Sequence, residues 1–216
     1  QYGTGRADIV TRRLSKLSPY LHLGQISPVT IYRTIKDATA GADNEASFLD
    51  EMIVRRELAV NFVVNSDDYD AFSALPGWAQ DTLKTHQGDP RQNIYSVDEL
   101  EAGKTHDPYW NAAMREMRIT GYLHNHLRMY WGKQIITYTA RPEEAFEVTT
   151  YLNNKYLLDG RDANSYANIA WIFGVHDRGW PERAIFGKVR SMMPSGLKRK
   201  FDVDAYVRWA RHLTDA

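Results

Sequence analysis

The sequence predicts an all-α domain. Three observations carry that reading. Apolar residues recur at helical spacing along most of the chain. Prolines stand where helices open, at Pro28, Pro108 and Pro142, positions that tolerate a fixed φ and a missing N–H. No segment alternates with period two for long enough to build a sheet.

Pro28 to Ala38 is predicted helical, with Ser27 in front as N-cap. Ala46 to Val64 (ASFLDEMIVRRELAVNFVV) is the clearest helix, because Phe48, Met52, Ala59 and Phe62 fall near one stripe. Trp78 to Thr85 follows, then Pro108 to Arg118, which Asp107 is placed to cap. Gly121 to Tyr138, Pro142 to Tyr156, Ser165 to Phe173 and Asp204 to Leu213 complete the set. Two loops, Asp159 to Asn164 (DGRDAN) and Gly174 to Pro181 (GVHDRGWP), are rich in turn formers and charge, the composition of loops that carry function. There is no internal repeat.

A chain of 216 residues with 43% apolar content suits one domain, residues 1–216, with a real core. No stretch reaches the roughly 18 to 20 apolar residues of a membrane span. The start, QYGTGRADIV, has no charged-then-apolar leader, so a cytoplasmic protein is expected; its lack of Met is expected of a piece of a longer polypeptide. With no cysteine, disulfides, thiolate metal sites and cysteine nucleophiles are excluded. Net charge is zero, with 27 basic and 27 acidic residues, yet it is unevenly spread. Residues 67–107 hold nine acidic and three basic residues; residues 178–200 hold seven basic residues and one acidic, Glu182. Ordinary surface patchiness explains such a gradient, and so does a basic face for phosphates.

Three templates fail. Gly3-Thr4-Gly5 follows no strand and lacks a third glycine, so it is no dinucleotide fingerprint. His124 and His126, read as helical, point in different directions and suit solvated or core-edge positions better than a metal site. No G-x-S-x-G nucleophile motif is present.

Seven segments taken in order carry a resemblance: LSPYLHLGQIS (17–27), FLDEMIVRRELAVNF (48–62), KTHDPYWNA (104–112), RMYWGK (128–133), LDGRDANSYANIAW (158–171), HDRGW (176–180) and KRKFDV (198–203). Together they resemble the C-terminal domain of class II cyclobutane pyrimidine dimer photolyases, within the photolyase/cryptochrome family, over nearly the whole chain. The resemblance implies a helical cup holding a bent FAD, with double-stranded DNA containing pyrimidine dimers as partner and the lesion flipped into an adjoining pocket. Light-driven electron transfer from the reduced flavin would split the dimer. A cryptochrome-like photoreceptor without repair is the alternative. The family's N-terminal α/β antenna domain has no counterpart here and is expected as a separate segment or chain. Without it, exposed apolar surface is expected.

The same resemblance implies roles by residue. Tyr2 and the run Leu14, Ser15, Lys16, Leu17 and Ser18, ahead of a helix, would serve the flavin phosphates; a serine N-cap is the plain alternative. Asn153 would face flavin N5, while Arg128 and Asp159 would lie beside the isoalloxazine and Asp162 near the cofactor. An ordinary helix-end Asn and an Arg–Asp ion pair are the plain readings. Glu51 and Arg55, four apart, would contact the lesion with Met129 and Trp171; a surface ion pair and core packing are the alternatives. Trp131 and Trp110 match the first two members of an electron wire, with Tyr138 standing where the outermost Trp is expected and Tyr95 as a side branch. Such a stripe is also how a core looks. Arg178, Trp180, Arg190, Lys198, Arg199 and Lys200 would hold DNA, or simply meet solvent.

Overall fold

The computed structural model describes residues 2–11, 13–39 and 41–214. Its helices are α1 (Tyr2–Gly5), α2 (Ser18–His22), α3 (Pro28–Asp37), α4 (Ala42–Leu49), α5 (Arg56–Val64), α6 (Gly77–Thr85) and α7 (Val97–Glu101). They continue as α8 (Pro108–Thr120), α9 (Asn125–Tyr138), α10 (Pro142–Tyr156), α11 (Ala163–Ile172), α12 (Pro194–Lys200) and α13 (Val203–Arg211). A π-helical turn, Asp50–Arg55, joins α4 to α5. Among the described residues there is no strand, only an isolated antiparallel bridge between Arg183 and Gly187. The all-α expectation is met. No helix of the described residues is long and apolar enough to cross a membrane.

Helix α9 is the central rod. Leu127, Tyr130, Trp131, Gly132, Lys133, Ile135 and Tyr138 are all buried, which leaves the helix almost no solvent face. α8 and α10 flank it, α13 covers the far side of α8, and α11 packs on α5 and α9. The approach of α9 to α11 depends on Gly132, since a Cβ there would collide with Ile172.

Local chemistry sets the ends. Ser27 accepts from Val29 N at 3.2 Å, and Asp107 accepts from Tyr109 N at 2.9 Å and Trp110 N at 3.2 Å, as expected of caps. Gly121, at φ 65°, ends α8, so the helix expected from Gly121 begins only at Asn125. The single helix expected over Ala46 to Val64 is three pieces, because the π turn widens the spiral between Asp50 and Arg55. Short α1, α7 and α12 lie where no helix was predicted. α7 has a complete capping box, with Ser96 and Glu99 bonded reciprocally. Val54, Leu58 and Val64 stay exposed on the π turn and α5.

Candidate functional site

Two clusters of predicted residues form around α5, α9 and α11. In the first, Arg6, just beyond α1, bonds Glu51 Oε1, and Arg55 Nε lies 3.4 Å from the same oxygen. The expected i,i+4 pair is thus present but secondary: Arg55 Nε donates to Asp50 Oδ2 at 3.0 Å, the partner five residues back that π-helical winding favours. The Arg55 guanidinium stands 5.7 Å from the Trp171 ring centroid, joining the π turn to α11. Met129 is partly buried against the core. Tyr2 meets Phe48 edge-on at 5.1 Å, and the Arg6 guanidinium lies 6.0 Å from the Tyr2 ring.

The second cluster is polar and buried. Arg128 Nη2 donates to both Asp159 oxygens, at 3.0 and 3.2 Å, with side chains 11% and 14% exposed. Asn153, 1% exposed, donates to Ser165 Oγ at 2.6 Å and to Asn154 Oδ1 at 3.1 Å. Both amide hydrogens are therefore spent, and what Asn153 can offer a neighbour is its carbonyl oxygen. Asp162 caps α11 through Asn164 N at 2.9 Å while meeting His22 Nδ1 at 3.2 Å and Arg56 Nη1 at 3.4 Å.

The 14–18 run is less built. Leu14 and Leu17 are half-buried, while Ser15 and Lys16 are exposed. α2 begins at Ser18, but its cap position is Leu17 and no side chain caps it, so the serine N-cap alternative is corrected. Lys16 sits at φ 53° with its ammonium 5.6 Å from the Tyr122 ring. A cavity of about 370 Å³ lies among α1, α3 and α4. Tyr2, Leu17, Ile31, Ile35 and Phe48 help to line it; Arg128, Asn153, Asp159 and Asp162 do not.

The aromatic stripe is continuous. Trp110 and Trp131 stack at 6.2 Å with planes 12° apart. Trp110 also meets Tyr138 edge-on at 5.8 Å, so Trp110 stands between Trp131 and Tyr138 of α9. Tyr138, third in the series after Trp131 and Trp110, is buried, 3% exposed. Beyond it lie Tyr95 at 5.3 Å and His106 at 5.7 Å. Tyr130 and Tyr138 both donate to Asp107 Oδ2, the latter at 3.3 Å, and burial drives both phenol pKa values well above the usual range.

The basic residues divide. Arg178 and Arg190 lie 5.6 and 4.8 Å from the Trp180 ring centroid, and the indole donates to Asp177 at 3.1 Å. Lys198 lies over the Tyr109 ring at 5.3 Å, Lys200 Nζ is 3.3 Å from His126 Nε2, and Arg199 is exposed. The two histidines correct the sequence reading. His124 is the N-cap of α9, ahead of the helix rather than on it, and its ring stacks on His126 at 5.6 Å. Burial, then nearby Lys200, His124, Arg6 and Arg190, depress His126 to a pKa of about 4.

Sequence reasoning missed Arg6, His22, Arg56 and Ser165, whose partners lie 45, 140, 106 and 12 residues away. No local pattern announces such pairs. Asp107 was legible as a cap, but not as the acceptor for two buried tyrosines.

No family model matches the chain. It is 55% identical over 210 residues to a protein named deoxyribodipyrimidine photo-lyase from Methanothermobacter thermautotrophicus, covering 97% of this chain and 46% of that protein. Proteins of the same name from Oryza sativa and Potorous tridactylus are each 46% identical, covering 98% and 96% of this chain and 42% and 39% of theirs. The chain therefore spans less than half the length of these curated relatives. Among solved structures, a class III photolyase from Agrobacterium tumefaciens superposes with TM-score 0.71 at 24% identity, over 96% of this chain and 40% of that one. A Synechocystis cryptochrome superposes with TM-score 0.65 at 19% identity, over 96% and 40%. The chain is homologous to proteins named deoxyribodipyrimidine photo-lyase, and its fold is the helical fold of photolyases and cryptochromes.

Proposed function

We propose that this chain is the flavin-binding, catalytic part of a class II photolyase that repairs cyclobutane pyrimidine dimers in DNA under light. The observation that carries the reading is the 55% identity to a deoxyribodipyrimidine photo-lyase across 97% of the chain. FAD is the cofactor of this reading. When bound and reduced, it supplies the electron that opens the dimer.

The polar groups present suit a flavin. Arg128 Nε and Trp131 Nε1 are buried donors with no acceptor among the described residues; Arg128 is expected beside the ring system and Trp131 as the first member of the electron wire. Arg128, fixed by Asp159, holds a cation that favours an anionic neighbour. Asn153, locked by Ser165, presents a carbonyl oxygen able to accept from a ring N–H. Tyr2 and Leu17 supply apolar wall.

At the lesion, Glu51 is the recognition group. Arg6 and Arg55 both approach its Oε1, which leaves Oε2 to accept from a pyrimidine N–H. Trp171 offers a stacking surface and Met129 an apolar contact. Arg178, Arg190, Lys198, Arg199 and Lys200 provide the positive charge that backbone phosphates require. With the Trp180 ring already met by two guanidiniums, at 5.6 and 4.8 Å from its centroid, this segment grips DNA chiefly by charge.

The test is illumination of the reduced, FAD-loaded protein with dimer-containing duplex DNA, against a dark control. Light-dependent loss of dimers is expected. Undiminished dimers in a protein that binds flavin would overturn repair and leave a photoreceptor.

A further inference from the structure

The loop that begins at Trp180 is fastened to the end of α6. Residues 180–188 turn back on themselves: the Trp180 backbone N–H donates to the Lys188 carbonyl at 2.8 Å, and Arg183 and Gly187 exchange backbone hydrogen bonds at 3.0 and 2.7 Å. The tip of this turn lies against the last turn of the helix. Lys188 N–H donates to Thr82 Oγ1 at 3.0 Å, Ile185 N–H donates to Asp89 Oδ2 at 2.7 Å, and a Cβ at Gly187 would collide with Thr82 and His86. Ile185 is held at φ 69°, in the left-handed region that a β-branched side chain avoids. A strained turn of this kind persists only where its surroundings fix it.

His86, the residue that follows α6, completes the fastening. Its Nδ1 lies 2.6 Å from Asp89 Oδ2 and its Nε2 lies 3.0 Å from Glu182 Oε1. A neutral imidazole has one N–H, so it donates to one carboxylate only and turns a lone pair toward the other. The imidazolium donates to both. The hydrogen bonds to Glu182 and then to Asp89 accordingly hold the His86 pKa above its ordinary 6.5. Asp89 is three residues from His86 and also holds Ile185 N–H, whereas Glu182 is 96 residues away and exposed. Loss of the proton therefore frees Glu182 and leaves Asp89 in place. Arg91 acts on Asp89 and Lys188 on Glu182, and both keep their charge through neutral pH.

We propose that His86 is a positioning residue for the basic loop: charged, it ties residues 180–188 to α6 and sets the DNA grip of Arg178, Trp180 and Arg190, and that grip loosens when the imidazole gives up its proton. The grip rests on the DNA reading above; the tie does not. Arg178 and Arg190 flank the turn in sequence, and their guanidiniums stand 5.6 and 4.8 Å from the Trp180 ring centroid, so one arrangement of the turn places all three. His86 acts on them through Glu182. The doubly bonded state is the protonated one, so the tie is complete at acid pH and is lost as pH rises through the raised value.

The experiment measures two quantities on the full chain from about pH 6 to 9, the range in which a raised imidazole titrates. One is the hydrogen-exchange protection of the Ile185 and Lys188 amides, corrected for the intrinsic pH dependence of exchange. The other is affinity for a dimer-containing duplex. As pH rises, the wild type is expected to lose protection at both amides and about three- to tenfold in DNA affinity, the worth of one hydrogen bond. His86→Gln and Glu182→Gln should abolish that pH dependence, with protection already low at the acid end. Burial brings Lys133, which feels Asp177 and Arg190, to a pKa of about 7, inside the same range. Both variants retain Lys133, so their difference from the wild type isolates His86. Protection that ignores pH in the wild type, or that keeps its pH dependence in both variants, overturns the proposal. So does protection that follows His86 while DNA affinity does not. A protein that binds no duplex at any pH counts against the DNA reading instead, and the protection factors alone then decide for or against the tie.

Discussion

Trp110 lies parallel to Trp131, ring centroids 6.2 Å apart, and its indole N–H donates to the Trp131 carbonyl at 2.9 Å. One side chain thus serves two ends: it ties α8 to α9 in the core and places two easily oxidised rings face to face. Trp110→Phe should keep most of the packing but lose that interhelical hydrogen bond and part of a buried ring, costing about 1–3 kcal/mol. Urea unfolding would register the loss. Light-driven reduction of bound flavin should slow sharply, while flavin affinity holds.

The Arg128–Asp159 pair is nearly out of water, and one partner cannot be neutralised without cost. Asp159→Asn should destabilise the protein by about 2–3 kcal/mol by leaving the guanidinium uncompensated. It should also weaken FAD binding. Stability equal to the wild type would show that solvent already shields the pair.

Burial lowers the Lys133 pKa from 10.5 to about 7, and its Nζ donates to the Ile172 carbonyl at the end of the helix that carries Trp171. The unfolded chain keeps the ordinary amine value. Between about 7 and 10.5 the unfolded state therefore binds a proton that the folded state lacks, and stability rises with pH across that window. Lys133→Met should flatten this rise, as measured by urea midpoints at the two ends of the window. An unaltered slope would contradict the assignment.

His126 behaves in the same sense at lower pH. Its folded pKa of about 4 lies below the ordinary 6.5, so acidification through that interval protonates the unfolded chain first and stability falls. His126→Gln should remove that part of the acid loss, seen as a smaller drop in Tm from neutral to mildly acidic buffer.

If Arg178, Arg190 and Lys200 meet phosphates, each glutamine substitution should reduce the slope of log affinity against log salt by about one. The measurement is DNA binding across a salt series. An unchanged slope would assign that cation to solvent.

What the sequence could disclose was local. Pro28, Pro108, Pro142, Ser27 and Asp107 announced helix starts because a cap and its first turn lie within three residues of each other. The π turn left no such mark, since DEMIVR reads as ordinary helix and only the geometry reveals the wider winding. The Ser96-x-x-Glu99 box was legible in principle, yet it opens a helix of five residues, too short for periodicity to register. Long-range pairs were invisible. Glu51 could be matched to Arg55 by spacing, but not to Arg6, and Tyr138 could be placed on its helix but not beneath the Tyr95 loop. The residues expected at the site came from the ordered motifs, while the hydrogen bonds that hold them required the fold.

The most direct measurement is a titration of the purified protein with FAD, followed by flavin absorbance and fluorescence quenching. The account predicts saturation at one flavin per chain, with affinity reduced in Asp159→Asn and in Asn153→Leu. A folded protein that takes up no flavin, or binds it equally well in both variants, would contradict it.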